Sequence, residues 1–236
     1  PECREFITCK DWPDWLKEKK LEDFNVACPM DMTNMSVILD DDFFEAYRDD
    51  SHRDHLLAKD VYWMSVAHMC STGEPGFSVD IGDNAGENLR NACCEVTSRK
   101  DNDLCNLGSL NMARIGTLSE FRSKVRLGTA LLLCGTEYSA LPIHEMKEIR
   151  QEDRRIGLGL MGIHEWLLKR GKPYGPSREL QDWMDVYREE SQAAAKHYAN
   201  LLGINIPIAT RSIAPTGTIS IIGETTSGIE PVFATS

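Results

Sequence analysis

The sequence has no apolar run approaching the roughly 20 residues that span a bilayer. No basic stretch leads into an apolar one at its start. Neither a membrane span nor a secretory signal is predicted. None of its eight cysteines (Cys3, Cys9, Cys28, Cys70, Cys93, Cys94, Cys105 and Cys134) forms a C-x-x-C pair, which disfavours a zinc ribbon or a thioredoxin motif. Internal repeats and low-complexity tracts are missing as well. Basic residues are few, 26 Lys and Arg against 37 Asp and Glu, for a net charge of −11. With no strong basic patch, a nucleic-acid backbone is not an expected partner. The acidic residues are dispersed and read as solvated surface, while local backbone amides can still hold a small polyanion.

What is present fits an ordinary globular domain. A chain of 236 residues can bury a real core, and 42% hydrophobic with 27% charged residues is usual for such a chain. Without a signal, a cytoplasmic setting with reduced thiols is expected, so most cysteines are predicted to be buried small hydrophobes and any other to be redox-active or catalytic. Pro1 and Ser236 do not read as natural termini, so an excerpt, a processed product or one piece of a split protein is expected.

Local patterns predict a helix over residues 2–10, short strands at 24–26 and 35–39, and a helix at 43–47 led by Asp40, Asp41 and Asp42. Leu57, Val61, Met64 and His68 recur at helical spacing and predict a helix over 54–71. Gly73-Glu74-Pro75-Gly76 predicts a turn, followed by a buried strand at 77–80. Residues 91–96 and 107–112 read as short strands. Thr117 with Glu120 forms a capping box for a helix to about Leu133. Ile156, Leu160, Ile163 and Leu167 predict a helix ending at Gly171, and Ser177 caps a long one through Leu201. Short strands alternating with long helices indicate an α/β protein, open sheet or barrel.

Several segments could carry chemistry. Gly157-Leu158-Gly159-Leu160-Met161-Gly162 fits G-x-G-x-x-G, but a dinucleotide site needs a buried strand just before it. The preceding residues, 150–155, are too polar for one, so close helix packing explains the glycines better. His52 with His55, and His144 beside Glu145, have no further ligands nearby; surface or capping roles are favoured and no metal site is predicted. In a strand, Asn91, Cys93 and Glu95 would share a face, setting a thiol between an amide and a carboxylate. Alone, that pattern fits a buried core cysteine better than a reactive one. Cys105 follows shortly downstream and adds weight to a redox reading. Ala214-Pro215-Thr216-Gly217-Thr218-Ile219-Ser220 fits a plain turn or a phosphate cradle equally well.

Taken in order, these segments resemble the ribonucleotide reductases. The resemblance is carried by Asn34-Met35-Ser36-Val37, Thr72-Gly73-Glu74-Pro75-Gly76, Asn91-x-Cys93-x-Glu95 and Cys105-Asn106-Leu107-Gly108-Ser109. It continues through Arg154-Arg155-Ile156-Gly157-Leu158-Gly159, Pro215-Thr216-Gly217-Thr218 and Gly228-Ile229-Glu230-Pro231. It implies a ten-stranded α/β barrel of two parallel five-stranded halves, with a central finger loop carrying a radical cysteine. Residues 1–236 would form a single, partial catalytic barrel domain.

The resemblance also implies roles. Cys93 would become a thiyl radical and take the ribose 3′ hydrogen, Glu95 would accept the 3′-hydroxyl proton, and Asn91 would bond the ribose hydroxyls. Cys105 would be one of two reducing thiols. Pro215, Thr216, Gly217, Thr218, Ile219 and Ser220 would hold the substrate phosphates. Cys28, Pro29, Met30, Asp31, Met32, Thr33 and Asn34 would lie near the base and sense a deoxynucleoside triphosphate effector. The wording Arg-Ile-Gly-Leu-Gly and Pro-Thr-Gly-Thr-Ile-Ser is most similar to the adenosylcobalamin-dependent class. A ribonucleotide substrate, di- or triphosphate, and a thioredoxin-type reductant are then expected partners.

Ala92 and Cys94 depart from the Pro and Gly common in the finger loop. The second reducing thiol, most of the effector region and the rest of the barrel would lie outside the chain, so the isolated segment is expected to be inactive. Two other readings compete: a non-catalytic remnant or structural piece of a split reductase, and an unrelated thiol-redox protein built on Cys93, Cys94 and Cys105.

Overall fold

A computed structural model of the chain describes residues 36–82 and 86–232, together with Trp15, Glu18 and Lys19. The helix expected at 2–10, the strand at 24–26 and the base-sensing segment from Cys28 to Asn34 lie outside the described residues. The chain divides into two compact units, Pro1–Arg99 and Lys100–Ser236.

In the first unit, β1 (Ser36–Asp40) alternates cleanly, with Val37 and Leu39 buried and their neighbours exposed, the period-2 pattern of a half-buried strand. Asp40 then caps α1 (Asp41–Arg48) by accepting the Phe43 amide at 2.9 Å. Helix α2 (His55–Thr72) ends at Gly73, whose φ of +82° is the left-handed turn a helix C-terminus favours. The chain passes the cis Glu74–Pro75 bond into β2 (Gly76–Asp80), which pairs parallel with β1, Ser36 opposite Gly76 and Asp40 opposite Asp80. Val37, Leu39 and Val61 form the buried centre, flanked by Phe43, Phe44, Leu57, Met64 and Phe77. A small antiparallel hairpin follows, β3 (Leu89–Arg90) with β4 (Thr97–Ser98).

The second unit is built on β5 (Asn106–Asn111) and β6 (Ile156–Met161), parallel and in register from Asn106 opposite Ile156 to Asn111 opposite Met161. Between them run a 3-10 turn (Met112–Arg114), α3 (Leu118–Tyr138) and α4 (His144–Asp153). Thr117 accepts the Glu120 amide at 3.2 Å and Glu120 Oε2 accepts the Gly116 amide at 3.0 Å, so the capping pair foreseen in the sequence starts α3. After β6 come α5 (Ile163–Leu168) and α6 (Arg178–Leu202), the latter capped by Ser177. Residues 209–212 run along the free edge of β6: the amides of Ile156 and Leu158 donate to Ala209 and Thr210, and the Ser212 amide donates to Leu158. The last helix is α7 (Gly217–Ile222). Met112, Phe121, Val125, Leu158, Leu160, Trp166, Trp183 and Tyr187 make the core. The α/β class, with strands paired in parallel, is therefore observed.

Three expectations are corrected. Residues 156–161 form a strand rather than the first half of a helix, and the helix spans only Ile163–Leu168. All six β6 residues are buried, and a strand covered on both sides shows a continuous apolar run whose residues also fall at helical spacing. Residues 91–96 form the loop of the β3–β4 hairpin rather than a strand, because Cys94 takes a left-handed φ of +63°, which ends the extended alternation. The described cysteines are not buried either: Cys70, Cys93 and Cys134 are exposed, and Cys94 and Cys105 partly so. Among the described residues no helix is long and apolar enough to cross a membrane.

Candidate functional site

The hairpin loop that carries Cys93 is fastened at its base and closed by Asn91. Arg90 donates from Nε to the Ser78 hydroxyl (2.7 Å) and from a terminal nitrogen to the Val79 carbonyl (2.8 Å), fixing β3 to β2. Ser78 is fully buried and donates in turn to the Asn88 carbonyl at 3.1 Å. Across the hairpin, the Thr97 hydroxyl donates to Glu87 at 2.7 Å. Within the loop the Asn91 side-chain oxygen accepts the Val96 amide at 3.0 Å, and the Asn91 carbonyl accepts the Cys94 amide at 3.0 Å. That bond takes one lone pair of the side-chain oxygen and fixes its orientation, while the amide NH2 is a donor it can offer a ligand. Ser36 Oγ and Cys94 Sγ lie 3.3 Å apart, tying the loop to the start of β1.

The electrostatics of the loop favour a protonated sulfur. Cys93 is exposed as a residue, yet desolvation first, then the Glu95 charge, then Cys94 push its thiol above the ordinary range. A thiol held as S–H is a poor nucleophile at neutral pH and a competent hydrogen-atom donor. Cys94 sits in a conformation that costs a non-glycine residue about 1–2 kcal/mol.

In the second unit, Cys105 stands one residue before β5 and is tied down on its N-terminal side. Asp103 accepts the Leu104 amide at 2.7 Å and the Arg155 Nε–H at 2.9 Å, and both members of that ion pair are almost wholly buried. Lys100 bonds Asp153 at 2.8 Å and Glu152 at 2.9 Å. Asn106 donates to the Leu132 carbonyl at 3.2 Å, linking the strand to α3.

The hydroxyl-rich segment lies at the other end of the same strand pair. Asn111, the last residue of β5, donates to the Gly223 carbonyl at 3.0 Å, and Gly162, just after β6, donates to the Thr226 carbonyl at 2.8 Å. The segment 215–228 is therefore tethered at the carboxyl ends of two parallel strands, where ligands bind in open α/β sheets. Thr216 has a φ of +55° and its hydroxyl accepts the Gly228 amide at 2.7 Å. Ser220 is buried and donates to the Gly217 carbonyl at 3.1 Å, so it braces the turn. Gly217 and Thr218 are exposed, and first-turn amides have no acceptor within a helix.

The sequence-predicted residues thus fall in two places: Asn91, Cys93 and Glu95 share one hairpin loop in the first unit, while Cys105 and residues 215–220 lie on the β5–β6 pair of the second. Sequence reading missed Ser78, Arg90 and Asp103, and quoted Ser36 and Arg155 only as motif residues without foreseeing their supporting contacts. Each is a polar residue whose partner is distant in sequence, so no local spacing announces it. His52 and His55 do serve local structure: His52 accepts the Asp54 amide, and His55 lies 3.0 Å from the Ala46 carbonyl and 3.1 Å from Asp50.

The family model of the ribonucleotide reductase barrel domain matches residues 17–204. The vitamin B12-dependent ribonucleoside-diphosphate reductase of Thermoplasma acidophilum is 28% identical over 99% of this chain and 34% of its own length. The protein of the same name from Mycobacterium tuberculosis is 35% identical over 55% of this chain and 22% of its own length. The chain thus spans about a third or less of the length of these relatives. Among solved structures, a B12-dependent class II ribonucleotide reductase matches with a TM-score of 0.61 and 21% identity, covering 71% of this chain and 28% of that one. The class Id α subunit of Actinobacillus ureae matches with a TM-score of 0.71 and 18% identity, covering 91% of this chain and 46% of that one. At these identities the two structures speak to fold alone.

Proposed function

Since the chain belongs to the ribonucleotide reductase family, through its barrel domain, we propose that it supplies part of the machinery that reduces ribonucleotides to deoxyribonucleotides by thiyl-radical chemistry. The observation that carries this reading is the loop of residues 91–96, which keeps Cys93 as an exposed S–H with Glu95 close enough to bias its proton. In the proposal Cys93 gives up its sulfur-bound hydrogen atom, and the resulting thiyl takes the 3′ hydrogen of the ribose. Glu95 accepts the 3′-hydroxyl proton, and the Asn91 amide donates to the ribose hydroxyls. Cys105 and a second thiol supply two electrons and two protons, one of which leaves with the C2′ hydroxyl as water, and end as a disulfide; Cys93 then returns the hydrogen atom to C3′ and Glu95 returns the proton to the 3′ oxygen. Pro215, Thr216, Gly217, Thr218, Ile219 and Ser220 hold the phosphates, an assignment supported by their place at the carboxyl ends of β5 and β6. Cys28 to Asn34 sense the effector.

Residues 1–236 are read as part of one ten-stranded barrel domain with residues 91–96 as its finger loop. Support comes from the family match, which runs through both compact units. The names of the relatives favour adenosylcobalamin as radical source, and an exposed cysteine that keeps its proton fits such a group. When bound, adenosylcobalamin supplies the radical-forming chemistry, and Cys93 is the residue on which it acts. A thioredoxin-type reductant restores the thiols, in a cytoplasmic setting.

The test is reconstitution of the chain with the remaining parts of the reductase, a ribonucleotide, adenosylcobalamin and a dithiol reductant. Deoxyribonucleotide formation is expected with the native chain and is expected to vanish with Cys93→Ser. Undiminished product from Cys93→Ser would overturn the assignment.

A further inference from the structure

Gly157 lies in the buried strand β6, opposite Leu107. A Cβ added there would stand 2.5 Å from Leu107 Cδ2, 2.9 Å from Ser212 Cβ and 3.0 Å from Cys105 Sγ. Real carbon atoms do not approach so closely, so the space that a side chain would fill is already taken, in part by the Cys105 sulfur. Two residues before Cys105 and Gly157, where the chain enters β5 and β6, Asp103 and Arg155 form the buried ion pair, with a 2.9 Å bond. The pair therefore lies just upstream of the thiol–glycine contact and ties together the two segments that enter β5 and β6. Both features belong to the second unit and are independent of each other.

We propose that Gly157 is a positioning residue for Cys105: the sulfur rests in the gap left by the missing side chain, and the Arg155–Asp103 pair locks the backbone beside it. The consequence is a half-buried thiol whose strand side is held by the backbone of β6. The geometry holds whatever Cys105 does; only its importance for reduction rests on the function proposed above.

The experiment uses the full chain and neutral iodoacetamide, with the modification rate of each cysteine followed by peptide mass spectrometry from pH 6 to 10. The exposed Cys70 and Cys134 serve as internal references. In Gly157→Ala the sulfur is pushed off the strand, and its rate is expected to rise by about threefold or more across the profile, through access. The reference thiols should be unchanged. Gly157→Ala/Leu107→Ala removes the tightest overlap and leaves the one with sulfur, so Cys105 should stay fast. A return to the native rate there would show that the glycine accommodates Leu107, and the proposal would fall. Gly157→Ala/Cys105→Ala covers the case in which the single variant does not fold: shrinking residue 105 should recover a measurable part of the lost Tm. No recovery, or no folded protein in that background, overturns the proposal. A Cys105→Ser reductase that keeps full activity would sink the redox role alone and leave the packing result standing.

Discussion

The Cys93 thiol is pushed above its ordinary range, and the order of causes makes a prediction. Desolvation is the largest, the Glu95 charge second and Cys94 third. All three disfavour the thiolate, so the S–H form persists to higher pH than in a free cysteine, whose pKa is about 8.5. The thiolate is the species that alkylates. The pH midpoint for alkylation of Cys93 is therefore expected above that of a free cysteine, by peptide-resolved kinetics. Glu95→Gln removes one negative charge and should move the midpoint down, but not to the ordinary value, because the larger cause is untouched. A Cys93 midpoint at or below that of a free cysteine would show that the loop does not protect the proton. This residue-scale property separates a hydrogen-atom carrier from a nucleophilic cysteine, which needs the opposite shift.

At the scale of elements, α6 shows how local chemistry sets a boundary. Ser177 has extended backbone and accepts the Leu180 amide at 3.2 Å, satisfying one of the unpaired donors at the helix start. Ser177→Ala should cost about 1 kcal/mol, read as a small drop in Tm by circular dichroism, while Ser177→Asp should keep the cap. Caps of this kind are why Thr117 and Ser177 were legible in the sequence, since donor and acceptor lie within three residues, whereas Asp40, which reads as a first-turn acid, is the cap itself. The parallel pairing β5–β6 was not legible, since its partners are some 50 residues apart. Ile156, Leu160 and Ile163 misled because a strand buried on both faces carries apolar residues at every spacing. The loop at residues 91–96 misled because one left-handed residue, Cys94, reverses the chain in a stretch whose composition reads as strand. The residue types at the candidate site were thus readable, and their fastening by Ser78, Arg90, Asp103 and Arg155 was not.

At the scale of the whole molecule, the two units differ in what holds them. In the second, Phe121 stacks on Trp183 with ring centroids 5.0 Å apart, Trp166 meets Trp183 edge-on at 4.9 Å, and Arg170 lies over Trp166 at 3.9 Å. Met112, Val125, Leu158, Leu160 and Tyr187 complete a continuous core that draws on α3, β6, α5 and α6. Burying a large side chain contributes about 1.5–3 kcal/mol, so the larger cluster adds more to the stability of its unit than a smaller one can. In the first unit the corresponding cluster holds only Val37, Leu39 and Val61 as fully buried members among the described residues. Residues 100–236 expressed alone are therefore expected to fold, with a near-ultraviolet circular dichroism signal from the packed tryptophans and a single cooperative melt. Residues 36–99 alone should melt at lower temperature or without cooperativity. If the larger segment lacked a near-ultraviolet signal while the smaller kept a sharp transition, stability would have to be assigned the other way round. The order matters for function, because the β5–β6 pair carries Cys105 at one end and the hydroxyl-rich turn at the other, about four residues or roughly 13 Å along the strand from Gly157 to Met161. In the function proposed above these two groups act on one bound nucleotide, which calls for a scaffold that does not yield between them, and the continuous core of the second unit supplies one.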